Sequence, residues 1–109
     1  MSRELNWSEL ADQDVEEILE HLESKWGSNS AINFLNRVEE SLIAVQNDPE
    51  TYLEVDKTRH IHKFIVNKYI TLYYRVSITS IDLITFWSNR KDDFVLKKLL
   101  KKPDSDTLK

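Results

Sequence analysis

The chain has 109 residues, 40% of them hydrophobic, with three tryptophans, one glycine and no cysteine. That length and composition predict one domain with a packed core, and they exclude a disulfide framework, a thiolate metal site, a thiol nucleophile and any glycine-rich phosphate loop. The net charge of −4 conceals a split: residues 1–56 hold three bases against fourteen acids (−11), and residues 57–109 hold twelve bases against five acids (+7). One face could therefore meet a polyanion and the other could not, unless the two halves simply attract each other.

The N-terminal stretch MSRELNWSEL lacks an apolar signal-peptide core, and no run of ~18 apolar residues follows. A cytoplasmic protein without a membrane span is expected. Leu5 and Trp7 predict a short first strand. Ser8 is placed to cap a helix whose apolar residues recur at Ala11, Val15, Ile18, Leu22 and Trp26, in steps of 4, 3, 4 and 4. Glu9, Asp12 and Asp14 lie early in it, where the helix dipole favours acids. Gly27 ends it. Ser28 or Ser30 would cap a second helix carrying Ala31, Phe34, Leu35, Val38, Leu42 and Val45, stopped near Asp48 by Pro49. Residues 50–57 read as a loop anchored by Tyr52 and Leu53.

Three strands follow. Residues 59–66 are rich in Ile, Val, Phe and His, and Asn67-Lys68 reads as a two-residue hairpin turn. In residues 69–77, Ile70, Leu72, Tyr74 and Val76 face one way and Thr71, Tyr73 and Arg75 the other. Thr79-Ser80 makes the next turn. The segment 81–87, IDLITFW, is apolar on both faces, as a central strand would be. The expected architecture is α+β, in the order βααβββ: a helical hairpin packed on a mainly antiparallel four-stranded sheet. Trp7, Val15, Ile18, Leu22, Phe34, Val38, Leu42, Leu72 and Tyr74 are expected in one core. Residues 1–95 form the domain, and 96–109 a basic tail, partly helical and frayed after Pro103.

The pieces NWSELADQDVEEILEHLESKWG, AINFLNRVEESLIAVQNDPETY, KYITLYYRV and IDLITFWSNR resemble the RelE/ParE family of bacterial toxins, over roughly residues 5–93. The resemblance lies in their order and spacing: a Trp-Gly helix end, a helix running into Asn-Asp-Pro-Glu, a Leu-x-Tyr strand, and an arginine after the last strand. It implies a growth-inhibiting toxin of a type II toxin–antitoxin module, of the kind associated with plasmid stabilisation. A cognate antitoxin would neutralise it by binding the groove between sheet and helices, and the antitoxin complex would set its oligomeric state. Some members bind DNA gyrase and cut nothing; others cut mRNA in the ribosomal A site. Arg90 matches the family's arginine. Thr71 stands where nucleolytic members often carry a base, no tyrosine follows Tyr74, and the chain is acidic. The resemblance therefore implies a ParE-like inhibitor of gyrase and replication, with a RelE-like ribosome-dependent endonuclease, or a degenerate toxin that only binds antitoxin, as the alternatives. No cofactor is implied.

Metal-free RNA cleavage needs a base, cations on the phosphorane, an acid for the leaving oxygen and a stacking surface. The candidates are Arg90, Arg75, Lys63, His62 and His60. His60 and His62 share one strand face, as acid–base groups or as polar decoration; as a metal pair they lack a third ligand. Lys63 is on the opposite face. Arg75, with Thr71 and Tyr73, either lines a polar groove or pairs with a helix acid. Trp87 either stacks a base or fills the core. Lys97, Lys98, Lys101 and Lys102 meet phosphate or anionic lipid, or are a solvated helix end.

Overall fold

A computed structural model describes residues 3–101. The elements are β1 (Glu4–Trp7), α1 (Glu9–Trp26), α2 (Ser28–Asn47), β2 (Glu54–Asp56), β3 (Ile61–Ile65), β4 (Ile70–Val76), β5 (Ser80–Ser88) and α3 (Asp93–Leu100). The strands form one sheet in the order β1-β5-β4-β3-β2. Every pairing is antiparallel except β1 with β5, which is parallel. The α+β architecture with its helical hairpin is as the sequence predicts, but the sheet has five strands rather than four. The extra one, β2, is only three residues long and lies within the expected loop.

Ser8 caps α1 as its position predicts, its hydroxyl accepting the Ala11 N–H at 2.9 Å. Gly27 closes α1 at φ 92°, where a side chain would be strained, and its N–H donates to the Glu23 carbonyl at 3.0 Å. The same glycine precedes α2, which starts at Ser28 with no side-chain cap; neither Ser28 nor Ser30 takes that part. One residue thus links two antiparallel helices.

The first hairpin connection is longer than the expected Asn67-Lys68 turn. It spans Val66 to Tyr69, and the Asn67 carboxamide oxygen organises it by accepting the N–H groups of Tyr69 (2.8 Å) and Ile70 (2.9 Å). The second turn is displaced by one residue: Ser80 already belongs to β5.

The main core lies between the helical hairpin and one sheet face. Val15, Phe34, Val38, Leu72 and Tyr74 are buried there, with Ile18, Leu22 and Leu42 partly buried against them. Trp7 is not a core residue. It is 40% exposed at the sheet edge, stacked on Phe86 at 5.5 Å. Tyr52 anchors its loop by an edge contact with Phe64 (4.8 Å), whereas Leu53 is exposed. The opposite sheet face is covered as well: Ile61, Tyr73, Ile84, Trp87 and Leu96 form a second cluster, joined by Leu99 and Leu100 of α3. The described end of the tail therefore packs on the sheet. Lys102 and Pro103 lie outside the described residues, as does the fraying expected after Pro103. Among the described residues, no helix is long and apolar enough to cross a membrane.

Candidate functional site

The main groove arises where α1 and β5 part. β1 stops at Trp7, opposite Leu83, but β5 runs on to Ser88. The cap residue of α1 and a side chain within the helix take over part of the missing strand's role. The Ser8 hydroxyl donates to the Ile84 carbonyl at 2.8 Å, and the Asp14 carboxylate accepts the Thr85 hydroxyl and the Phe86 N–H, the latter at 3.1 Å. Beyond Asp14 the helix and strand diverge around a cavity of about 640 Å³. Ile18, Leu22, Phe34, Ile70 and Phe86 supply apolar walls; Lys25, Arg90 and Lys91 supply positive charge, and Asp14 and Glu17 are acids of the same lining. Two aromatic rings also line it: Trp26, 69% exposed, and Tyr69, 51% exposed. Large exposed rings thus lie beside cations at the rim of this groove. The Arg90 guanidinium lies 5.8 Å from the Tyr69 ring centre and the Lys68 ammonium 5.1 Å from it.

The five predicted residues do not converge. Arg90 is exposed at the groove just beyond the end of β5. His60 and His62 lie in a separate depression of about 440 Å³, with Arg3, Glu50 and Glu54. They do not share a strand face, because His60 is left-handed (φ 57°) in the turn before β3. Glu54 brings them together instead, its carboxylate 3.6 Å from His60 Nδ1 and 3.6 Å from His62 Nε2. His62 is buried, stacked on Tyr74 at 5.6 Å, with Nδ1 2.8 Å from the Tyr52 carbonyl. A carbonyl only accepts, so Nδ1 carries a proton and the ring is fixed in place. Among the described residues, no group of three or more His, Asp or Glu is arranged to hold a metal ion. Lys63 and Arg75 line neither depression. Arg75 pairs with Asp82 on the neighbouring strand rather than with a helix acid. The polar groove expected along Thr71, Tyr73 and Arg75 is absent: Thr71 and Tyr73 are buried in the sheet face that α3 covers, and Trp87 fills that cluster. Burial also pushes the Tyr73 and Tyr74 hydroxyls up from their ordinary value, which removes both as proton-transfer groups near neutrality.

Asp14, Trp26, Tyr69 and Lys91 are the site residues that sequence reasoning misses. Asp14 had a signal: it falls three residues after Ala11 and four before Ile18, on the stripe that α1 buries. Burial pushes its carboxyl up from 3.8, against the downward pull of Thr85, Phe86 and Lys91. The folded chain therefore holds this proton at higher pH than the unfolded chain. The stability Asp14 contributes is fully present below 3.8 and is lost as pH rises through the raised folded-state value. Comparing urea midpoints of the wild type and Asp14→Asn across that window, the wild type gains on the variant as pH falls. A difference that is flat or moves the other way contradicts this account.

A family model described as the ParE toxin of the type II toxin–antitoxin system parDE matches residues 5–93. No curated protein matches the chain. Among solved structures, the chromosomal ParDE toxin–antitoxin system from P. aeruginosa is similar in fold, with a TM-score of 0.68 at 15% identity, covering 79% of this chain and 95% of that one.

Proposed function

Since the chain belongs to the ParE toxin family of type II toxin–antitoxin systems, we propose that it arrests growth by binding DNA gyrase in the cytoplasm, and that a cognate antitoxin holds it inactive and sets its oligomeric state. One observation carries the choice of a binding mechanism over RNA cleavage. The groups that would have to act on one phosphate are dispersed: Arg90 at one groove, His60 and His62 at another depression, Lys63 and Arg75 at neither. General acid–base catalysis requires its groups within hydrogen-bond reach of the same reacting atoms. A binding toxin requires an exposed surface with aromatic and arginine anchors, as the main groove provides.

The purified chain is expected to inhibit gyrase supercoiling of relaxed plasmid and to leave A-site mRNA intact on programmed ribosomes. Cleaved mRNA with untouched supercoiling would replace this reading with the nuclease. Expression of the chain alone should stop growth, and co-expression of its cognate antitoxin should restore it.

A further inference from the structure

The smaller depression gathers three acceptors around one point. The turn before β3 places them. Asp56 accepts the Arg59 N–H at 3.1 Å, and the Val76 N–H donates to the His60 carbonyl at 3.0 Å. These bonds hold His60 in its left-handed backbone, from which its ring reaches Glu54. One carboxylate oxygen, Oε2, lies 3.6 Å from His60 Nδ1 and 3.6 Å from His62 Nε2. Neither separation is a hydrogen bond. His62 Nδ1 gives its proton to the Tyr52 carbonyl, so the uncharged ring presents a lone pair at Nε2. The His62 side chain is 6% exposed, and no described residue donates to that nitrogen. His60 Nδ1 accepts as well when its proton sits on the other ring nitrogen.

A primary ammonium carries three N–H donors on one nitrogen and so matches three acceptors at once. Charge favours it too: with both rings uncharged, Glu50 and Glu54 outweigh Arg3 two to one. The arrangement is not one that holds a metal ion. The same lining carries a donor. Arg3 reaches Glu50 through a terminal nitrogen at 3.4 Å, but its Nε is buried and has no acceptor among the described residues. A buried donor left unpaired costs free energy, so an oxygen brought to it is favoured. Val76 and Ile78 add apolar wall, and about 440 Å³ is room for a small molecule. We propose that this depression binds a small primary amine bearing a neutral carbonyl, the chemistry of an amino-acid amide. The ammonium sits among His60 Nδ1, His62 Nε2 and Glu54, and the carbonyl accepts from Arg3 Nε. A free carboxylate in place of that carbonyl would cancel the ligand's charge and meet Glu50 beside Arg3. The site is separate from the groove at Arg90 and does not depend on the gyrase reading.

The test uses the full chain with a chelator present, at one fixed pH, and follows the ring signals of His60 and His62 by NMR as glycinamide is added. Both rings are expected to shift and saturate, with a dissociation constant on the order of 1 mM for so small a ligand. N-acetylglycinamide keeps the carbonyl but loses the ammonium, and should leave the rings unmoved at the same concentrations. Ethylamine keeps the ammonium but has no carbonyl, and should bind about five-fold more weakly. Glu54→Gln keeps the shape of the site and removes its charge. His60→Ala removes one acceptor whose side chain is 67% exposed, so the core is untouched. Each variant should weaken glycinamide about ten-fold or more, read at the His62 ring, with circular dichroism unchanged. Rings that answer N-acetylglycinamide as they answer glycinamide, or that answer neither, overturn the site. So do folded Glu54→Gln and His60→Ala chains that bind as tightly as wild type. Ethylamine binding as tightly as glycinamide overturns the contact with Arg3.

Discussion

Replacing Arg90 with alanine abolishes growth arrest by the chain expressed alone, while its unfolding transition stays within ~0.5 kcal/mol of wild type, the usual range for an exposed position. Arg90 lies two residues beyond the end of β5, and its guanidinium sits over the ring of Tyr69. The guanidinium keeps its charge at every physiological pH and presents a planar set of donors suited to a carboxylate on a protein target. His62 is the contrasting position. It is buried under Glu54 and against Tyr74, so His62→Ala acts on the fold rather than on the target. That variant should still arrest growth at temperatures where circular dichroism shows it folded. A stable Arg90→Ala chain with full toxicity would move the functional surface elsewhere. Loss of toxicity in a folded His62→Ala chain would return proton transfer to the mechanism.

The largest effect on stability is expected at Leu72. It has no exposed surface, and in the sheet it stands between Phe64 of β3 and Phe86 of β5 on the face that the helices cover. Leu72→Ala should cost about 2–5 kcal/mol, because neighbours held by two flanking strands cannot collapse into the space. Against a total of ~5–15 kcal/mol for a domain of this kind, that is a large fraction. Leu42 was also expected in the core, but it is only partly buried on α2, so Leu42→Ala should cost roughly half as much. The check is urea unfolding with an unchanged slope, so that the midpoint shift reports stability alone. A loss under ~1 kcal/mol at Leu72 would mean the core is looser than described.

The parts of the fold that repeat were legible in the sequence. The 4, 3, 4, 4 spacing of α1 and the alternation of β4 each reflect one buried face, and periodicity is the trace that such burial leaves. What depends on tertiary partners was not legible. The alternation in β4 marks Thr71, Tyr73 and Arg75 as the polar face, yet α3 covers that side and buries two of the three. β2 is too short to show a period. His60 and His62 are two apart, which reads as one face, until the left-handed backbone at His60 breaks the rule. Of the candidate site, Arg90 was found through family resemblance rather than through any periodicity. The early position of Asp14 in α1 reads as a helix-dipole acid, although its place on the buried stripe points to a partner across the interface, which is β5.

The pairing of β1 with β5 has a consequence in time. The first strand made is held by the last: Asn6 bonds to Asp82 across 76 residues of sequence. At ordinary synthesis rates that interval is roughly 4–15 s. Through it β1 has no place in a sheet, Trp7 lacks the Phe86 ring it stacks on, and the groove beside β5 does not exist. Contacts this distant in sequence also slow the final closure, because the long loop must be ordered before they form. The chain therefore passes most of its synthesis without the groove beside β5, which forms only once the last strand is in place.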